Sequence, residues 1–369
     1  MRGLLAVPRS APRAVAAAHH GACCPRRLAA TALTGTFDPI AMTSQNILVL
    51  GGTGFIGQHV VDRLVAQGCS VCVPTRRRAR GRALWVLPTV EVVEADIHDP
   101  DALRRLVAGR DAVVNLVGVL HDTGRPTAAS GGRYGPVFGA AHVELPRSLV
   151  AACQAAGVRR VLHVSALGAH PDGPSAYLRS KGDGERLIAQ ATGLDSTIFR
   201  PSVVFGSGDS FLNLFAAMAA LLPVLFIGGA QSRMQPVWVQ DLATAIGNAL
   251  DTRATFGRSY EMCGPTIYTL RELLAFAARA AGHPRPVVGL PPALASAMAA
   301  VFERLPGPTL LSRDNLLSLR VDSVASVQPY QAAPELGIHP SPLEPEASVY
   351  LSGMHPRTRF GGFRARAGR

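Results

Sequence analysis

Tyr177 and Lys181 are the residues of this 369-residue chain whose types and spacing most directly suggest chemistry. In Tyr177-Leu178-Arg179-Ser180-Lys181 a phenol and an ammonium stand four residues apart, one turn along the same face of a helix. A free phenol has a pKa of about 10 and is a poor base at neutral pH. A neighbouring ammonium lowers that pKa, so the pair could pass a proton to or from a substrate hydroxyl or carbonyl. The spacing alone is a loose pattern, and a surface helix lysine is the plain alternative. Composition sharpens it: 36 of the 37 basic residues are arginine, and Lys181 is the sole lysine. A site that needs a compact ammonium rather than a planar guanidinium explains why one lysine remains.

Ser165, twelve residues ahead of Tyr177, ends a short apolar run, where its hydroxyl could orient a substrate oxygen or bond to backbone. His163 lies in the same run and reads as a sheet-packing residue rather than a catalytic one.

Gly51-Gly52-Thr53-Gly54-Phe55-Ile56-Gly57 follows a strand-like run and opens a helix-like one. The three spaced glycines do different things. Gly51 makes the tight turn, Gly54 lets backbone approach a pyrophosphate, and Gly57 lets helix and strand pack closely. The free N–H groups at the helix start would hold phosphate, which makes Thr53, Phe55 and Ile56 part of the same cradle. An acidic residue about 20 positions on would bind a ribose 2′-hydroxyl. Here Arg76 stands 19 residues after Gly57, within Thr75-Arg76-Arg77-Arg78. A guanidinium suits a 2′-phosphate, so NADP(H) is favoured over NAD(H), a solvated basic loop being the alternative. Asp96 and Ile97 would flank the adenine, and Asn115 and Val117 the middle of the cofactor. With a nicotinamide in place, Lys181 could also bond its ribose, and the oxidised ring would further lower the Tyr177 pKa.

Strands and helices alternate from about residue 46 to 200. Apolar runs at Asn46–Leu50, Ser70–Val73, Val90–Val93, Ala112–Val117, Val161–Ser165 and Asp195–Arg200 read as strands. Between them, helical spacing appears after Gly57 and at Asp101–Ala108, Val143–Ala156 and Ser175–Ala191. The order predicts an α/β doubly wound parallel sheet. After Pro201, helix signals at 211–221, 240–250, 269–281 and 292–304 predict a smaller, mainly helical cap. Gln235–Val239 is expected to return a strand to the sheet. The expected organisation is a leader over 1–42, a nucleotide domain over 43–200, a cap over 201–351 and a basic tail over 352–369.

With those residues in view, the chain resembles the extended or atypical short-chain dehydrogenase/reductases. More narrowly, it resembles bacterial relatives of the nucleotide-binding accessory subunit of mitochondrial complex I. The matching segments are Asn46–Gly57, Val73–Arg77, His163–Ala169, Tyr177–Glu185, Arg200–Gly206, Gly208–Asn213, Gln235–Asp241 and Ser312–Asn315. The resemblance implies a Rossmann fold, NADP(H) on Gly51, Gly54, Gly57 and Arg76, and Tyr177 and Lys181 at the nicotinamide. It leaves two roles open: an oxidoreductase or epimerase acting on an unidentified small-molecule carbonyl or hydroxyl, and a scaffold whose nucleotide is structural. The scaffold reading brings peripheral association with a respiratory membrane complex.

The net charge of +12 suggests nucleic acid until it is mapped. Residues 1–42 carry five arginines and one acid, and residues 352–369 carry five arginines and no acid, so the ends hold +9 and the rest only +3. No nucleic-acid partner is expected. The leader reads as a start assigned too far upstream, with Met42 as the natural beginning, or as an acid-poor transit peptide. The protein is accordingly expected in the cytoplasm, peripheral to the inner membrane on the scaffold reading, or in the mitochondrial matrix if the leader is a transit peptide. Cys69 and Cys72 form a lone CxxC inside a strand-like run and read as packing residues, and no metal site is expected. Phe211–Gly229 is almost wholly apolar, but Pro223 leaves only about 12 helical residues, roughly 18 Å of helix against about 30 Å of bilayer core. It reads as a buried helix followed by an extended segment.

Overall fold

The apolar runs become strands of one parallel sheet because each alternates its side chains between two covered faces. A computed structural model describes residues 44–122, 124, 126–304 and 311–354. The leader over 1–42 and the tail from 355 onward lie outside the described residues.

The first half runs β1 (Asn46–Leu50), α1 (Phe55–Ala66), β2 (Ser70–Thr75), β3 (Val90–Glu94), α2 (Pro100–Val107) and β4 (Ala112–Asn115). It continues with the single turn α3 (Pro136–Phe138), a π-helical segment over Gly139–Glu144, α4 (Leu145–Ala156), β5 (Arg160–Val164), α5 (Ala176–Ala189) and β6 (Asp195–Pro201). The second half contains β7 (Val204–Phe205), α6 (Leu212–Leu221), β8 (Leu225–Ile227), β9 (Arg233–Met234), β10 (Val237–Trp238), α7 (Val239–Ala249) and β11 (Arg258–Met262). After these come β12 (Tyr268–Thr269), α8 (Leu270–Ala280), β13 (Val287–Gly289), α9 (Pro292–Phe302), α10 (Arg313–Ser318) and α11 (Leu343–Leu351). Ser352–Met354 form a 3-10 turn directly after α11.

Among the described residues the main sheet has seven strands in the order β11-β6-β5-β4-β1-β2-β3, with every pair parallel. In β1, Ile47 and Val49 enter the core formed with Val60, Val61 and Leu64 of α1 and Leu242 and Ile246 of α7. Leu48 and Leu50 enter the opposite core, with Leu103 of α2, Leu149 of α4 and Ile188 of α5. Two-sided burial is why these strands read as unbroken apolar runs. The chain leaves β1 toward β2 and β3 and returns beside β1 as β4, so the order reverses between β1 and β4. Open α/β sheets bind ligands in the crevice at that point.

One strand expectation is corrected. Residues 237–238 do form a strand, but it pairs with Val204–Phe205 apart from the main sheet. The strand that returns is β11, held along β6 from Arg258↔Thr197 to Met262↔Pro201. Its Arg258-Ser259-Tyr260-Glu261-Met262 sequence places it at the sheet's edge, where exposed polar residues mask the apolar signal. A third core joins α6, β8, α8 and α11 through Leu212, Leu225, Leu273, Leu274 and Leu343.

Candidate active site

The glycine turn lies at the β1–β4 reversal. Gly51 has φ +82°, a left-handed conformation that favours glycine. A Cβ on Gly51 would also stand 3.1 Å from the Leu116 carbonyl carbon and 3.2 Å from the Val117 nitrogen. A Cβ on Gly57 would overlap the Gly51 carbonyl oxygen and lie 2.6 Å from the Gly52 Cα. Gly54 is exposed and donates its N–H to the Gly51 carbonyl at 3.0 Å. No side chain caps α1, so the opening N–H groups of that helix have no capping side chain. Thr53, Phe55 and Ile56 are half-buried beside them.

The outer positions divide into exposed and committed groups. Arg76 is exposed and makes no hydrogen bond or ion pair among the described residues. Asp96 is exposed and accepts the His98 N–H at 3.0 Å. Ile97 and Val117 are half-buried against the second core. Asn115 ends β4. It is fully buried, its Oδ1 accepts the Val117 N–H at 3.1 Å, and its Nδ2 stands 3.2 Å from His163 Nδ1. Both ends of its amide are occupied, so its side chain shapes the turn after β4 instead of reaching outward. Because Nδ1 of His163 accepts that bond, its proton sits on Nε2. Burial, and then Lys181, push the His163 pKa down to about 3, so the ring is neutral, as suits a residue packed in the sheet.

The Tyr–Lys helix is held on several sides. Ser175 caps α5 by accepting the Leu178 N–H at 3.1 Å. A Cβ on Gly184 would overlap the His142 carbonyl oxygen, and one on Gly182 would come within 2.5 Å of His170. These two glycines let α5 lie directly on the π-helical segment and on the loop after β5. Lys181 is 4% exposed and donates from Nζ to the Val164 carbonyl at 3.0 Å. Burial pushes its pKa down to about 8, with Glu185 acting in the opposite sense. Glu185 is itself paired with Arg200, whose Nε donates to it at 2.9 Å.

Ser165 follows Val164 directly, and its hydroxyl is buried with no hydrogen-bond partner among the described residues. The Tyr177 hydroxyl likewise has no partner among them. Burial pushes its pKa up to about 12. The sequence reading expected a lowered value with an oxidised nicotinamide beside the phenol; in the fold itself, desolvation of the phenolate is the cause of the rise.

Several residues at this site escaped the sequence reading. His142 Nε2 accepts the Val119 N–H at 3.1 Å, so the proton lies on Nδ1, 2.8 Å from Ser180 Oγ. Ser180 in turn donates to the Tyr177 carbonyl at 2.9 Å, and the His142 ring packs edge-on to Tyr177 with centroids 5.7 Å apart. Burial, then Lys181 and His163, hold the His142 pKa well below the usual histidine range. A neutral imidazole therefore ties the loop after β4 to the Tyr–Lys helix. Asp314 bonds the backbone of Ala176 and Tyr177. Its segment stands out in the sequence, but nothing local names a partner so far along the chain.

Cys69 and Cys72 are buried free thiols whose pKa values are raised chiefly by burial, as fits packing residues. Among the described residues no group of three or more His, Cys, Asp or Glu side chains is arranged to hold a metal ion.

Comparison with known proteins agrees with this architecture. Residues 47–263 match the NAD dependent epimerase/dehydratase family. The chain is 31% identical over 294 residues to NADH dehydrogenase (ubiquinone) 1 alpha subcomplex subunit 9, mitochondrial, of Arabidopsis thaliana, covering 75% of this chain and 70% of that one. It is 30% identical to the Rattus norvegicus protein of the same name over 301 residues, covering 80% and 77%. Among solved structures it is similar in fold to the NADPH-dependent quinone oxidoreductase of Escherichia coli, solved with NADPH. The TM-score is 0.63 at 18% identity, over 83% of this chain and 99% of that one.

Proposed function

Because this chain belongs to the NAD dependent epimerase/dehydratase family, we propose that it binds NADP(H) and serves hydride transfer on a carbonyl or hydroxyl substrate, with Tyr177 as acid/base. Two features support a cofactor cradle: side chains on Gly51 and Gly57 would collide with backbone and deform the turn, and the N–H groups opening α1 lack a capping side chain. Phe55, Ile56 and Gly57 would hold the pyrophosphate through backbone, with Arg76 on the 2′-phosphate. Asp96 and Ile97 would border the adenine, Val117 the middle, and Lys181 the nicotinamide ribose. When bound, the nicotinamide supplies a carbon that gives or takes hydride.

The observation that carries the reading is the unpartnered Ser165 hydroxyl next to the carbonyl that Lys181 grips. A buried hydroxyl without a partner costs about 1–3 kcal/mol, which a substrate oxygen would offset. With its pKa raised, Tyr177 is a neutral phenol, suited to protonate a carbonyl oxygen as hydride arrives.

Calorimetry with NADPH and NADH tests the cofactor. Arg76→Asp is expected to lower NADPH affinity by roughly 10- to 100-fold and leave NADH binding near its starting value. An unchanged preference removes Arg76 from the site, and no uptake of either nucleotide by folded protein ends the proposal.

The subunit relatives favour a second reading, since the matches extend over 75–80% of this chain. In it the nucleotide stabilises a scaffold docked peripherally on a respiratory complex. Lys181→Arg separates the two: an enzyme loses turnover in a carbonyl screen, whereas a scaffold has none to lose and keeps its nucleotide and fold.

A further inference from the structure

We propose that α6, the β8–β13 pair and α9 form a docking face for an anionic phospholipid surface. Soluble proteins rarely leave contiguous apolar side chains uncovered. Leu221, at the end of α6, is 83% exposed, and Leu222 follows it into solvent. Four residues on, Phe226 is 53% exposed, and its register partner across the β8–β13 pair is the exposed Val288. In α9 the usual arrangement is inverted. The small residues Ala295 and Ala299 face inward, while Leu294 and Val301 are each 58% exposed. Ala295 approaches Gly228 just past β8, which places α9 beside the strand pair.

Charge selects the occupant. Residues 210–240 and 273–302 contain Arg233, Arg279 and Arg285 and no aspartate or glutamate. Arg233 pairs with Asp322. Arg285 donates only to the Ala219 carbonyl at the end of α6, and Arg279 has no ion pair among the described residues. At the end of α9, Arg304 bonds the Ala300 carbonyl, while Glu303 is taken up by Arg313 at 2.9 Å. Arg279 of α8, Arg285 just before β13 and Arg304 just after α9 therefore have no acidic partner among the described residues, whereas Arg233 does. Apolar side chains rimmed by unpaired arginines suit the headgroup boundary of an acidic bilayer. Among the described residues no helix is long and apolar enough to cross a membrane, so α6 and α9 would rest on the surface. α9 also packs on α10, and α10 on α5, so the face adjoins the element carrying Asp314. The proposal does not depend on nucleotide binding.

The test is flotation of the full chain with vesicles of phosphatidylcholine alone or mixed with phosphatidylglycerol. Binding is expected to the mixed vesicles, and to be roughly tenfold or more weaker to phosphatidylcholine and in high salt. Leu221→Ser with Phe226→Ser, and separately Leu294→Ser with Val301→Ser, are expected to lower partitioning roughly tenfold with an unchanged thermal midpoint. Arg279→Glu is expected to weaken it too. Equal binding by the serine variants overturns the proposal, because the five arginines of residues 352–369 would then hold the lipid. A dimer that these substitutions dissociate, with no vesicle binding, overturns it in favour of a second copy of the chain.

Discussion

The carboxylate of Asp314 accepts the backbone N–H of Tyr177 at 3.0 Å across 137 residues of sequence, and that of Ala176 at 2.7 Å. These are opening N–H groups of α5, which the helix itself cannot satisfy. The negative charge also sits at the positive end of the helix dipole. Asp314→Ala is expected to cost about 1–2 kcal/mol in chemical denaturation. Asp314→Asn should cost less, since one oxygen can still accept. If alanine is as stable as the parent, the cap is not holding α5.

Ser165→Ala removes a buried hydroxyl that has no partner. Stability is expected to hold or to rise by up to about 1 kcal/mol, because nothing is left unpaired and a desolvation penalty disappears. Turnover should nevertheless fall, since a group reserved for substrate is gone. A clear loss of stability would mean that the hydroxyl bonds within the fold, and would remove the ground for its role.

The glycines of the turn should separate into structural and ligand-facing positions. At Gly57 a methyl overlaps backbone, so Gly57→Ala is expected to lose several kcal/mol or to fail to fold. At Gly54 the added Cβ meets the Gly51 oxygen at 3.2 Å, and φ −79° with ψ 176° is open to alanine. Gly54→Ala should fold with a cost of about 1 kcal/mol or less and lose nucleotide affinity by roughly tenfold or more. Equal affinity in Gly54→Ala, measured by calorimetry, would move the pyrophosphate elsewhere.

Lys181 links stability to pH. Its pKa is about 8 in the fold against 10.5 in the free side chain. Between those values the unfolded chain binds the extra proton, so stability rises with pH there. Below about pH 8 the ammonium is charged in both states and the burial penalty is fully present. The nucleotide-free protein should therefore gain stability relative to Lys181→Met as pH rises from 8 to 10.5. A flat difference would show that Lys181 is not held in the buried, desolvated state.

The nucleotide turn was legible in the sequence because its parts are local. Gly51, Gly54 and Gly57 lie within seven residues of one another, between a strand and a helix whose periodicities are plain. The Tyr177–Lys181 pair was legible for the same reason, one turn of one helix, and the sole lysine marked it. β11 was harder to read because an edge strand need not be apolar on both faces.

Strand, turn and helix signals, then, were determined by neighbours in the chain, whose backbone preferences act over a few residues. Partners brought together by folding were decided only in three dimensions. Asp314 reaches Tyr177, His142 reaches Val119 and Ser180, and Asn115 turns inward to His163. The protonation of Tyr177 belongs to the same class. Spacing predicts a lowered pKa from the nearby ammonium, whereas burial raises it, and burial is a property of the assembled fold that no stretch of sequence carries by itself.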